Sequence, residues 1–115
     1  MDQVVHDNWQ EQSDRELVLA ACAGQGNAFA ALYERYFPPI QALAYAQVRD
    51  THLADDVVQQ TFALACEKLR DLRKPEQFAA WLGTICRNTA KQSLRKQMRR
   101  IDPASWVAHG PHPDK

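Results

Sequence analysis

Between Leu53 and Arg100 the chain carries two helical patterns in succession, and the second changes character along its length. In the first, Val58, Phe62, Ala65 and Leu69 recur at helical spacing. Residues one turn apart share a face, so these form one apolar stripe. Asp56, Gln59, Gln60, Ala63 and Glu67 fall on the other side. A short connection, Arg70 to Lys74, ends at Pro75, which suits a first helical turn where an amide donor is not needed. Glu76 suits the positive end of that helix. The second pattern turns Phe78, Trp81, Leu82 and Ile85 inward and puts Thr84, Arg87, Asn88, Lys91 and Arg95 on a different arc. Its apolar stripe fades near Leu94, where Lys96 and Arg100 take positions expected of core residues, so this end of the helix is expected to project from the body. No acidic residue lies between Trp81 and Arg100. A segment of this kind folds by burying two stripes against other helices, and it leaves a cationic ridge in water.

The preceding sequence supplies those helices. Ser13-Asp14-Arg15-Glu16 reads as a capping box that opens a helix ending at Gly24-Gln25-Gly26, where glycine suits a left-handed C-terminal position. Asn27 is the expected cap of the next helix, whose apolar positions Phe29, Leu32, Tyr33, Tyr36 and Phe37 follow the helical period. Pro38-Pro39 is expected to kink or interrupt it, because proline lacks the donor and clashes with the preceding turn. The pattern resumes through Ile40, Leu43, Ala44 and Val48 and breaks near Asp50-Thr51. The expected fold is all-α: a compact bundle of about four helices over residues 13–100. A flexible segment is expected over 1–12, and a disordered, Pro-rich linker over 101–115. Leu32, Val58, Phe62, Phe78, Leu82 and Ile85 are expected in one core.

A length of 115 residues allows a single core. The net charge of zero conceals an asymmetry: residues 1–66 hold nine acids and three bases, and residues 67–115 hold five and eleven. Such a split points to nucleic-acid contact, the plainer reading being a solvated helix face. The acidic N-terminus has no apolar signal core, and no apolar run is long enough to span a membrane, so a cytoplasmic protein without membrane insertion is expected. Cys22, Cys66 and Cys86 are an odd, widely spaced set with apolar helical neighbours, expected as reduced thiols serving as small core residues. His6, His52, His109 and His112 form no ligand cluster with them, and no metal or other cofactor is expected. Asp55-Asp56 diverge by about 100° on a helix and have no partner acid, and no Ser-His-Asp or Cys-His arrangement stands out. The chain is not expected to be an enzyme. Lys and Arg on one helix can neutralise phosphates, while aromatic rings stack unpaired bases. Phe78 and Trp81 could do the latter, although their spacing fits core better.

The order AFAALYERYFPPI, LADDVVQQTFALACEKL, a short loop, then FAAWLGTICRNTAKQSLRK resembles region 2 of bacterial RNA polymerase sigma factors, most nearly the extracytoplasmic-function (ECF) class of the sigma-70 family. Phe29, Leu32, Tyr33 and Tyr36 match its first motif; Asp56, Val58, Gln59 and Phe62 its second; Phe78, Trp81, Leu82, Ile85 and Asn88 its third. The resemblance covers about residues 13–100. It implies a transcription initiation factor domain that binds polymerase core and recognises and helps melt the promoter −10 element. By that resemblance Asp55, Asp56, Gln59 and Gln60 dock on the beta-prime clamp helices. Leu72, Arg73 and Lys74 belong to the loop, running to Gln77, that captures a flipped base of the non-template strand. Arg87, Asn88, Lys91, Arg95, Lys96 and Arg99 line the melted strand. An anti-sigma factor is a further partner such a domain can have. Gln60 stands where the family often has an acid, and Lys74-Pro75 replaces a glycine common in the loop. The helix-turn-helix domain that reads the −35 element is not in this sequence, so the chain is expected to be a region 2 piece of a longer factor or a single-domain relative. Two readings stand beside this one. One is a helical protein-interaction module whose basic face is merely solvated. The other is a duplex-binding helix-turn-helix repressor, which Pro75 followed by a long basic helix fits poorly.

Overall fold

The structure, a computed structural model, describes residues 9–109, with side chains placed from 9 to 100. Four helices make the bundle: α1 (Asp14–Cys22), α2 (Gly26–Val48), α3 (Thr51–Lys68) and α4 (Phe78–His109). Short 3-10 turns lie at Trp9–Glu11, Leu69–Asp71 and Pro75–Gln77, and the described residues include no strand. α2 packs against each of the other three helices, and α3 against α4.

Local chemistry sets the boundaries. The Ser13 hydroxyl accepts from the Glu16 amide at 3.1 Å and the Glu16 carboxylate accepts from the Ser13 amide at 2.9 Å, the reciprocal capping box read from the sequence. α1 closes with a Schellman motif. The Gln25 amide donates to the Ala20 carbonyl and the Gly24 amide to the Ala21 carbonyl, and Gly24 takes the positive φ of 100° that this turn requires. That turn leaves Gln25 extended as the N-cap of α2, without a side-chain cap bond, so Asn27 lies inside the first turn and is not the cap expected. Arg49, left-handed at φ 55°, ends α2, and the Asp50 carboxylate caps α3 by accepting from the Leu53 amide at 2.9 Å.

Pro38 and Pro39 do not interrupt α2. Both face solvent, while Leu32 and Ile40 on either side are buried in the same core. Packing of the two flanking turns outweighs the backbone bonds the prolines cannot make.

The core is continuous across the four helices: Leu17 and Val18 of α1, Leu32, Ile40 and Ala44 of α2, Val57, Val58, Phe62 and Ala65 of α3, and Phe78, Leu82 and Cys86 of α4. Trp81 and Ile85, expected inside, are only partly buried at its edge. Phe62 meets the Tyr33 ring at 4.5 Å between centroids, and Phe78 meets Tyr36 at 5.5 Å. Thr61 is fully buried, and its hydroxyl donates to the Val57 carbonyl at 2.7 Å, so the polar atom has a partner.

The bundle's N-terminal edge is fastened by a polar knot. The Arg35 guanidinium forms an ion pair with Asp14 at 2.8 Å and donates to the Gln10 and Gln12 carbonyls at 3.1 and 2.8 Å. The Tyr36 hydroxyl donates to the second Asp14 oxygen. Residues 9–12, expected as part of a flexible lead, are thereby a folded turn whose Trp9 packs on the core. Residues 1–8 lie outside the described residues. At the other end, residues 101–109 continue α4 through Pro103 where linker was expected, and residues 110–115 of that expected linker lie outside the described residues. The cysteines divide: Cys86 is buried and Cys22 partly so, but Cys66 is exposed, on the solvent side of α3, and is not the core residue expected.

Three measurements check this fold. Phe62→Ala should lower unfolding free energy by about 3–5 kcal/mol in urea titration, since a nearly fully buried ring leaves a cavity. Burial, then the hydrogen bond to the Asp14 carboxylate, pushes the Tyr36 phenol up from 10.0 to about 12. A folded-state pKa above the unfolded value stabilises fully below the unfolded pKa and loses that contribution as pH rises through the folded one. Stability should therefore fall between about pH 10 and pH 12, and Tyr36→Phe should remove that part of the decline. Burial also raises the Cys86 thiol pKa. Iodoacetamide should label Cys66 readily in the folded protein and leave Cys86 untouched until denaturant is added.

Candidate functional site

α4 is held by the stripe Phe78, Leu82, Cys86 and Ala90, all fully buried. At about 100° per residue the opposite arc must carry Thr84, Arg87, Asn88, Lys91 and Arg95. All five are exposed, as is Arg99 beyond them. The expected strand-binding residues Arg87, Asn88, Lys91, Arg95 and Arg99 are thus brought onto one solvent-facing arc. The Arg87 guanidinium folds back over Gly83, 3.7 and 3.8 Å from where a Cβ would stand, so this cation lies flat along the helix. Met98 is also exposed on this side, 58% accessible, and gives the ridge an apolar point among its charges.

The loop between α3 and α4 is fixed at both ends. The Leu72 amide donates to the Leu69 carbonyl at 3.1 Å and the Gln77 amide to the Lys74 carbonyl at 2.8 Å. Arg70 reaches across to the Cys22 carbonyl at 3.0 Å, and the Pro75–Gln77 turn packs on α1. Leu72 is partly buried against the core, whereas Arg73 and Lys74 are exposed. Of the three loop residues singled out in the sequence, Leu72 anchors the loop and the two cations are free to meet a ligand.

Asp55, Asp56, Gln59 and Gln60 are all exposed on α3, but they do not form one patch. Asp56, Gln59 and Gln60 line a groove of about 400 Å³ whose far wall is α4, through Ser93, Lys96, Gln97 and Arg100. Asp55 opens instead on a second groove of about 380 Å³ beside Pro38, Gln41 and Tyr45 of α2. Lys96, grouped with the DNA-facing residues in the sequence reading, lies in the α3–α4 groove and not on the basic arc. Arg100 was not singled out as a site residue. The fading of the apolar stripe was the available signal for both, since a cation at an inward angle must face a gap or a partner. The Arg35–Asp14–Tyr36 knot was also missed, and helical periodicity carries no sign of it. Among the described residues no helix is long and apolar enough to cross a membrane.

Known protein families and relatives match this chain. The family model for sigma-70 region 2 matches residues 32–100, more than half of the chain. Three relatives illustrate the likeness. The ECF RNA polymerase sigma factor BldN of Streptomyces coelicolor is 31% identical over 76% of this chain and 33% of its own length. The RNA polymerase sigma factor CarQ of Myxococcus xanthus is 34% identical over 69% of this chain and 45% of its own. The ECF RNA polymerase sigma-E factor of Salmonella typhimurium is 35% identical over 85% of this chain and 50% of its own. The chain therefore spans no more than about half the length of these relatives. No solved structure gives a significant match. With both the ordered motifs and the four-helix bundle in place, the chain belongs to the sigma-70 region 2 family, in its ECF class.

Proposed function

We propose that this chain is the part of a transcription initiation factor that docks on RNA polymerase core and holds the non-template strand of the promoter −10 element as the duplex opens. One observation carries the reading. Arg87, Asn88, Lys91 and Arg95 share a solvent-facing arc on a helix whose opposite face is locked in the core, with no acid between Trp81 and Arg100. A rigid row of cations supplies sequence-independent affinity for phosphates, and one amide among them can read a base edge. Arg73 and Lys74 are exposed on the loop that leads into the same helix, a loop fastened to α1, so a displaced strand that spans arc and loop would meet two fixed supports. Unpairing a base costs a few kcal/mol, and stacking and pocket contacts offset that cost. The polar face of α3 is the side turned to polymerase, on the beta-prime clamp helices. Relatives named as RNA polymerase sigma factors support this reading.

Binding to a fluorescent −10 oligonucleotide, single-stranded and as closed duplex, tests the proposal, with core polymerase added to hold the domain in register. Single strand should bind more tightly. Lys91→Ala and Arg95→Ala should weaken all sequences alike and reduce the salt slope by about 0.7 for each phosphate that is no longer neutralised. Asn88→Ala and Arg73→Ala should change base preference. A complex with core that shows no −10 preference, or Asn88→Ala altering only the salt slope, would reduce the arc to a solvated surface.

A further inference from the structure

The inward side of α4 changes from apolar to cationic within one continuous helix. Eighteen residues are five full turns, so Lys96 repeats the angular position of Phe78 and Arg100 that of Leu82. Phe78 and Leu82 are fully buried, whereas Lys96 and Arg100 are exposed and face the first half of α3 across the 400 Å³ groove. Leucines at these two positions would continue the stripe that buries the earlier turns. Two cations instead leave the gap open. Asp56 lines the opposite wall, yet among the described residues no ion pair joins it to Lys96 or Arg100. The groove thus presents both signs of charge, with the amides Gln59, Gln60 and Gln97 between them, and it satisfies none of the charges internally.

We infer that this groove extends the polymerase-docking face, and that Lys96 and Arg100 grip carboxylates on the docked helix while Asp56 takes a cation from it. The inference rests on the reading of α3 as the docking side. It moves Lys96 from the DNA-binding set to the protein-binding set and adds Arg100 there. The chemistry favours a polypeptide over a phosphate strand. A nucleic-acid backbone carries one sign of charge and would be repelled at Asp56, whereas an exposed helix presents acids and bases together. Lys96 and Arg100 are one turn apart, about 6 Å along the axis. The matching surface is a helix with two carboxylates one turn apart and a Lys or Arg on the same face. Lys96 and Arg100 point about 100–180° around α4 from Arg87, Lys91 and Arg95, so such a partner leaves those three uncovered, with Arg99 at the border between the two surfaces.

The test uses the full chain and core polymerase, with core affinity and −10 single-strand affinity measured separately. The unsubstituted chain is measured first. If it does not bind core, the docking reading fails and this inference with it. If it binds, Lys96→Glu with Arg100→Glu should weaken core binding at least tenfold while leaving the salt slope of single-strand binding unchanged. Lys96→Arg with Arg100→Lys should retain core binding, which separates charge from folding. Thermal melting confirms that each variant is folded. Undiminished core binding by the doubly reversed variant overturns the assignment and leaves the α3 reading standing. A salt slope reduced by about 1.4, the value for two phosphates of a single strand, overturns it in favour of DNA.

Discussion

Phe78, Leu82, Cys86 and Ala90 are fully buried against the rest of the bundle, and a helix held by such a stripe cannot rotate about its axis. Every candidate site on α4 inherits its direction from that constraint. Rotation by one residue, about 100°, would carry Arg87 or Lys91 toward the core and expose Phe78. Removing such a ring from its packing costs several kcal/mol, a large fraction of a small domain's stability. Exposed cations on their own would not define a surface, because long side chains in water sample many positions. The stripe fixes their Cα positions and leaves only the side chains free.

The loop depends on a second, polar support. Arg35 joins α2 to the Asp14 carboxylate of α1 and to two backbone carbonyls before it, and Tyr36 adds its hydroxyl to the same carboxylate. α1, so fastened, buttresses the loop, through Arg70 on the Cys22 carbonyl and the Pro75–Gln77 turn on its surface. Tyr36 contributes to both supports, because its ring also packs on Phe78 at the start of α4. On the proposed reading the loop receives a base, and such anchoring keeps it open, since an isolated connection of this length would sample many conformations.

Local chemistry was legible in the sequence because its partners are a few residues apart. The Ser13–Glu16 box, the left-handed Gly24 and the stripes of α3 and α4 all follow from spacing. Angular position along one helix was equally legible, which is why Arg87, Asn88, Lys91 and Arg95 share the arc that their spacing implies. What periodicity cannot supply is the identity of the neighbour across a gap. Asp55 and Asp56 are adjacent in sequence and polar alike, but one faces α2 and the other α4. Lys96 was assigned by charge, although its angle matched Phe78. Pro38-Pro39 misled for a related reason. The backbone penalty is local and visible, whereas the burial of Leu32 and Ile40 that outweighs it is tertiary. Cys66 looked apolar by its neighbours in sequence and lies on the wet side of α3.

The net charge of zero also acquires a physical meaning. A chain that must hold an anionic strand gains from a concentrated positive field, yet a uniformly basic surface would bind nucleic acid anywhere along it. Here Arg87, Lys91, Arg95 and Arg99 share one arc of α4 with no acid among them, and acids are spread over α1, α2 and the exposed side of α3. On the proposed reading this confines phosphate binding to one edge. Across α4 from that edge, the groove mixes both signs and disfavours a polyanion. A protein partner seated there and a strand on the arc would approach the same rigid helix from different sides. The two ligands need not compete, and each would find its surface already formed by the packing that folds the bundle.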